Sequence, residues 1–307
     1  MIDNGVESIE LMINDFIDRY HESPINLLNR NDFEAERKYL IAHKPEYIRT
    51  IKDIILYFRH SQIQQIKILE VGSFLGVVSV TLSRIGFQVT AIDIEEYISS
   101  KNLQQLFIDN GIRFSAVNLR DYRIPLSSEE FDAVIMCEVL EHLNFNPLPV
   151  IKEINRILKK GGLLYISLPN LLRSVNILNL GLYGNSIHNP IKDFFTQLSS
   201  NEGNKIVGLH WREYTSAELK EMLEEMNFLI VRQDYEEPGR PDNRSPLKLL
   251  AKKIIRNIVN RRIFKRILFS ILFDPYLEKE RKSVQIQFAV KKDQCKKNFF
   301  FTNATLP

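Results

Sequence analysis

Two groups of side chains in this sequence have the types and spacing to do chemistry. The first is the turn Glu70-Val71-Gly72-Ser73-Phe74-Leu75-Gly76, where a run rich in Ile and Val gives way to a helical period. Glycines four apart leave room for a ligand against the backbone, and the helix that follows offers unpaired amides suited to negative ligand groups. A dinucleotide turn needs G-x-G-x-x-G, but Phe74 and Val77 stand at its second and third glycine positions. A pyrophosphate is therefore disfavoured, whereas the Glu70 carboxylate suits a ligand with an ammonium or sulfonium cation. The second group is Glu138, Glu141 and His142, followed at a distance by His210-Trp211-Arg212-Glu213-Tyr214-Thr215. Two histidines from separate segments can offer a general base for a hydroxyl proton, since imidazole titrates near neutrality. The plainer reading is that Glu141 and His142 cap the following helix and that Arg212 and Glu213 are structural ion-pair residues.

The elements that must position these groups follow from periodicity. IKILEVG (66–72), FQVTAID (87–93), RFSAVN (113–118), FDAVIMC (131–137) and LLYISLP (163–169) are too short for helices and read as five strands. Gly86 and Gly111 mark left-handed helix ends between them, and Gly161 with Gly162 is expected to end another helix after Lys160. Thr215 and Glu218 spell a capping box, with Asn227 as terminator before a sixth strand, FLIVRQDY. SVQIQFAVKK (283–292) alternates as a half-buried antiparallel strand would. The fold class is thus α/β: a Rossmann-like, seven-stranded, mostly parallel sheet with helices on both faces and an antiparallel last strand. Residues 1–65 form an N-terminal helical region, 66–292 the main domain, and 293–307 a frayed tail. Two insertions interrupt the domain, an expected lid over 170–214 and a segment over 238–282.

EVGSFLG, then AIDI, then FDAVIMCEVLEHL, then LKKGGLLYISLPN together resemble a class I S-adenosylmethionine-dependent methyltransferase. The resemblance covers about 66–292 and implies S-adenosylmethionine as cofactor. It places Glu70, Gly72, Ser73 and Gly76 along the methionine part, Asp93 on both ribose hydroxyls and Ile94 against the adenine. Asn118 stands where many members have Asp near the adenine amine, and Cys137 and Glu138 match the fourth strand tip beside the methionine moiety. EVLEH with the H-x-R-E-Y-T segment is similar to ubiquinone-pathway and bacterial glycan-cluster O-methyltransferases. That implies His142 and His210 as catalytic residues and an acceptor hydroxyl on a saccharide or lipid-linked glycan. The same residues are also similar to small-RNA ribose methyltransferases, where two acids and two histidines hold a metal. That family has a histidine pair where this chain has His210 beside Trp211, so no metal is assigned.

Composition bounds the partners. The 307 residues carry a formal net charge of +3, yet eight cations and no acid fall within residues 247–273. Removing those eight leaves 33 cations against 38 acids, a net −5, which argues against a nucleic acid gripping the domain broadly. On a helical wheel, residues 247–259 and 263–271 form two basic amphipathic helices broken near Asn260. They pack on the domain with their cations in water, lie on an anionic membrane surface or meet a nucleic acid, the last being the weakest of the three readings. Cys137 and Cys295, the absence of a secretory start in the first 30 residues, and the absence of an 18-residue apolar run point to the cytoplasm, with the inner membrane face as a second location. Nothing in the sequence fixes the oligomeric state.

Overall fold

The five runs become β1 (Lys67–Val71), β2 (Gln88–Asp93), β3 (Arg113–Ala116), β4 (Phe131–Cys137) and β5 (Leu158–Pro169). In the computed structural model, which describes residues 2–20, 22, 25, 33–173, 176, 210–236 and 284–292, they pair in parallel. With β6 (Phe228–Glu236) and β7 (Val284–Lys291) they make a seven-stranded sheet of order β3-β2-β1-β4-β5-β7-β6. The order reverses at β1, so the tips of β1, β2 and β4 face a crevice where open α/β sheets take their ligands. Only β7 runs against its neighbours.

Seven helices cover the described sheet. They are α1 (Ile2–Arg19), α2 (Phe33–Tyr57), α3 (Val77–Ile85), α4 (Glu95–Ile98), α5 (Lys101–Asp109), α6 (Leu148–Ile157) and α7 (Ser216–Glu225). One face buries Ile13, Ile51, Leu82 and Phe107 with Tyr165 and Phe288. The other buries Ile154 and Leu223 with Leu164 and Phe228. The expected punctuation holds at several joints. Gly86 caps α3 at φ +115°, Gly111 follows α5 at φ +65°, and Asn227 stands at φ +64° before β6. The Thr215 hydroxyl accepts the Glu218 amide at 3.1 Å while Glu218 accepts the Thr215 amide at 2.8 Å.

Two expectations need correction. Gly161 and Gly162 do not end a helix: α6 stops at Ile157 and β5 already begins at Leu158. The glycines lie inside β5 opposite a register shift between Phe131 and Ala133, where Gly161 takes φ +74°. β7 is not half-buried either. Because it sits between β5 and β6 with a core on each face, Gln285 and Gln287 are as buried as Ile286 and Phe288. Gln285 Nε2 donates to the Tyr214 carbonyl at 2.6 Å, which gives one of these buried amides a partner. Most of the expected lid, the basic segment 247–273 and the tail 293–307 lie outside the described residues. Among the described residues, no helix is long and apolar enough to cross a membrane.

Candidate active site

The turn after β1 is bound to the tip of β2. The amides of Gly72 and Ser73 donate to the Ile92 carbonyl at 2.9 and 3.4 Å, the Phe74 amide to Asp93 Oδ2 at 2.8 Å, and the Gly76 amide to the Ser73 carbonyl at 2.8 Å. Four amides of the turn are therefore used by the fold. The glycines also have a different reason from the one their spacing suggests. Gly72 and Gly76 take φ of +76° and +79°, and a Cβ there would lie 2.3 Å from Val139 Cγ2 and 2.8 Å from Phe107 Cε1. Side chains of the protein, rather than a ligand, fill that space.

The acids at the strand tips are held in poorly solvated places. Glu70 accepts the Ser79 hydroxyl at the start of α3, and burial pushes its carboxyl up to about 8. Asp93 also accepts the Ile94 amide at 2.7 Å. Burial raises it to about 6 against the pull of its two amides. The Ser73 hydroxyl is buried and has no hydrogen-bond partner among the described residues. Asn118, at the end of β3, is exposed, and its side-chain oxygen accepts the Arg120 amide at 3.0 Å, so it caps the short turn that follows.

At the β4 tip, Cys137 Sγ lies 3.7 Å from the Thr50 hydroxyl, and burial raises its thiol. Glu138 turns the chain at φ +53°, its amide donating to the Ser167 carbonyl at 2.8 Å. The next turn buries Glu141 completely, beside the carboxyl of Glu138. Burial first, and then the charge of Glu138, push Glu141 well above the usual carboxylate range. His142 Nε2 is 3.9 Å from Glu141 Oε1, and the His142 and His210 rings meet edge to face at 4.9 Å.

His210 is held from behind. Its Nδ1 is 3.4 Å from Glu213 Oε1, which also takes Arg173 Nη2 at 2.9 Å, while Asn176 Nδ2 donates to Glu213 Oε2 at 2.6 Å. Burial raises Glu213, but His210, Arg173 and Asn176 together hold its carboxyl below the ordinary value. Glu213 and Arg212 are both ion-paired, Arg212 with Glu218 at 2.7 Å. The two histidines and Glu141 thus come together from segments about 70 residues apart, with donor atoms within 4.8 Å of one another.

The sequence reading missed the contribution of α2. Tyr39 packs edge-on against Phe74 of the glycine turn at 5.3 Å and stacks on His43 at 4.1 Å. Eleven residues on from Tyr39, Thr50 meets Cys137. The available signal was a row of polar aromatics, Tyr39, His43 and Tyr47, at helical spacing in a region read only for its apolar face.

A family model described as a methyltransferase domain matches residues 41–233, from within α2 into β6. The chain belongs to the class I S-adenosylmethionine-dependent methyltransferases. Over 108 residues it is 34% identical to a ubiquinone biosynthesis O-methyltransferase of Xanthomonas campestris pv. campestris, covering 34% of this chain and 43% of that protein. The corresponding protein of Xanthomonas euvesicatoria pv. vesicatoria is 30% identical over 167 residues, covering 49% and 62%. The chain therefore spans less than two thirds of these relatives' lengths. Magnesium protoporphyrin IX methyltransferase from Synechocystis, solved with bound S-adenosylhomocysteine, aligns at a TM-score of 0.48 and 13% identity over 82% of this chain and 85% of that one.

The residues of this methyltransferase fit its family's cofactor on their own chemistry. Glu70 and Asp93 at adjacent strand tips suit a cationic methionine end and a vicinal diol, and the buried Ser73 hydroxyl, which has no partner among the described residues, lies in the turn between them. No cation among the described residues is hydrogen-bonded to Glu70 or Asp93 to compete with such a ligand.

Proposed function

We propose that this methyltransferase is an O-methyltransferase whose acceptor is a hydroxyl of a saccharide or lipid-linked glycan intermediate. The observation that carries the reading is the buried, ion-paired Glu213 holding His210 beside His142 at the β4 tip. An ionised Glu213 accepts from His210 Nδ1–H, which fixes the tautomer whose Nε2 lone pair can take a proton. Glu70 would hold the ammonium of the methionine end and Asp93 the ribose hydroxyls. Bound S-adenosylmethionine supplies an electrophilic methyl group on a sulfonium. His142 would hold the acceptor hydroxyl in line, and the hydroxyl's proton would pass to His210 Nε2 while the methyl group exchanges its bond to sulfur for one to oxygen, leaving a neutral thioether. Orientation and proton removal are the protein's main contributions. The saccharide acceptor is supported by the likeness of the EVLEH and H-x-R-E-Y-T segments to glycan-cluster methyltransferases, and O-methylation also by the names of the relatives.

The test is methyl transfer from tritiated S-adenosylmethionine into lipid-linked and free glycan fractions of bacterial extracts. His210→Ala and His142→Ala should lower turnover by about 10²-fold or more while leaving cofactor affinity within about twofold. Transfer that survives both substitutions, or that goes only to amines, rejects the reading.

A second reading is favoured by one observation, the approach of the Glu141, His142 and His210 donor atoms to within 4.8 Å of one another, with Glu141 buried. These are oxygen and nitrogen ligands that can hold a divalent ion against an acceptor's hydroxyls, as a metal-assisted RNA ribose methyltransferase would require. Metal retained by the purified protein, together with RNA binding that weakens steeply with salt, would replace the first reading. A membrane surface reached through residues 247–273 is a separate proposal, checked by co-sedimentation with phosphatidylglycerol vesicles before and after charge reversal there.

A further inference from the structure

An indole stands beside the two histidines and is open to solvent. Trp211 is 40% exposed, whereas Glu141, Glu213 and Tyr214 of the same two segments are buried. The backbone fixes where it stands. The Trp211 amide donates to the Glu141 carbonyl at 2.7 Å, and that carbonyl belongs to the peptide unit leading into His142. Trp211 also follows His210 directly in the chain. One side chain therefore adjoins both imidazoles, whose rings meet at 4.9 Å. Arg212, the next side chain, is committed elsewhere, to the Tyr214 ring at 4.9 Å and to Glu218 at 2.7 Å.

We propose that Trp211 is the platform on which the sugar ring carrying the accepting hydroxyl stacks. The inference rests on the saccharide reading above and names the surface that recognises the acceptor. A pyranose presents C–H groups on one face and hydroxyls around its rim, and the electron-rich face of an indole attracts such polarised C–H groups. Little ordering is needed on contact, because an indole turns about only two side-chain torsions. Stacked there, the sugar ring lies at the edge of the site while one rim hydroxyl reaches between His142 and His210. The face that it lays on the indole then decides which hydroxyl is methylated, a choice that two histidines aimed at a single oxygen do not make.

The chain has one tryptophan, so its indole emission reports on Trp211 alone. Protein saturated with S-adenosylhomocysteine is titrated with the methyl α-pyranosides of glucose, galactose, mannose and rhamnose, and separately with uridine. At least one glycoside should shift or quench the emission saturably, and uridine should not. In methyl transfer to the glycan fractions, Trp211→Ala should raise the acceptor KM by about tenfold or more with kcat within about threefold. Its affinity for S-adenosylmethionine should stay within about twofold, and Trp211→Phe, which keeps a smaller ring, should raise KM less. An emission that no glycoside moves, or a KM that Trp211→Ala leaves unchanged, overturns the platform. A response to uridine alone would give the indole to a nucleobase and overturns the sugar assignment too. A wild type that methylates no glycan fails the saccharide reading itself, which is a different result.

Discussion

The backbone amide of Trp211 donates to the Glu141 carbonyl at 2.7 Å, with the Arg212 amide on the same oxygen at 3.3 Å. Two segments far apart in sequence are joined by that carbonyl, and the join sets His210 against His142. Trp211→Pro removes the donor and should cut turnover by about tenfold or more while leaving cofactor affinity within about twofold, since Glu70 and Asp93 are untouched. Trp211→Phe, which keeps the amide, should retain most of the turnover. Equal losses in the two variants would show that the indole, rather than the amide, matters.

Strand positions were legible because short apolar runs cannot be much else, and each boundary fell within a residue or two of its expected place except the start of β5, at Leu158 instead of Leu163. Glu70 and Asp93 were legible for the same reason, since a strand end is a local feature. The burial of β7 was not, because alternation reports one wetted face only when no layer covers it, and the order β5-β7-β6 is set by long-range pairing. The purpose of Gly72 was also hidden. The side chain that forbids a Cβ there, Val139, is 67 residues away in the sequence. The His43–Tyr47 row suffered from its setting, because a helix period shows that a face exists and not what it faces.

Cofactor binding should depend on pH through Glu70. Its carboxyl is raised from 4.5 to about 8 by burial, so near neutrality the free protein holds it protonated. A cationic ligand needs it ionised, so binding should release close to one proton at pH 7. Affinity should rise as pH increases toward 8, by up to about tenfold per unit, and level off above. Calorimetry in buffers of different ionisation enthalpy measures the released proton directly. Glu70→Gln should bind weakly and lose that rise between about pH 6 and about pH 8, the shifted values for Asp93 and Glu70. A wild-type profile equally flat would mean that Glu70 is already ionised.

The same group sets a trend in stability. The folded carboxyl holds its proton up to about 8, whereas the unfolded chain releases it near 4.5. Its contribution is therefore fully present below 4.5 and is lost progressively as pH rises to about 8, at up to about 1.4 kcal/mol per unit. In urea titrations Glu70→Gln should gain on wild type between pH 5 and pH 8.5 (roughly the window of that shift). A gap that stays constant across that interval contradicts the buried protonated acid.

Gly72 and Gly111 separate two costs of adding a methyl group. Both have positive φ, but the space beside Gly111 is open while Gly72 faces Val139. Gly111→Ala should lose about 1 kcal/mol from backbone strain alone. Gly72→Ala should lose about 1–3 kcal/mol more from overpacking. Adding Val139→Ala to Gly72→Ala should recover part of that difference and none of the strain. Chemical denaturation of the four proteins decides, and equal losses at the two glycines would refute the contact.

Asp53 of α2 is buried and accepts from three elements: Arg49 Nε of its own helix at 2.7 Å, Tyr165 of β5 at 3.2 Å and Arg232 of β6 at 3.4 Å. Arg49 in turn reaches Asp234 at 3.1 Å and Glu236 at 2.9 Å on β6. This cluster docks α2 on the sheet one turn beyond Thr50. Asp53→Ala removes one of Arg49's three acidic partners and an acceptor of the buried Tyr165 hydroxyl, and should cost about 1–3 kcal/mol. Asp53→Asn keeps an acceptor for the Tyr165 hydroxyl and should cost less. Because α2 also meets the glycine turn at Tyr39 and the β4 tip at Thr50, Asp53→Asn should weaken S-adenosylmethionine binding as well. A stability loss with unchanged cofactor affinity would confine the cluster to holding the fold.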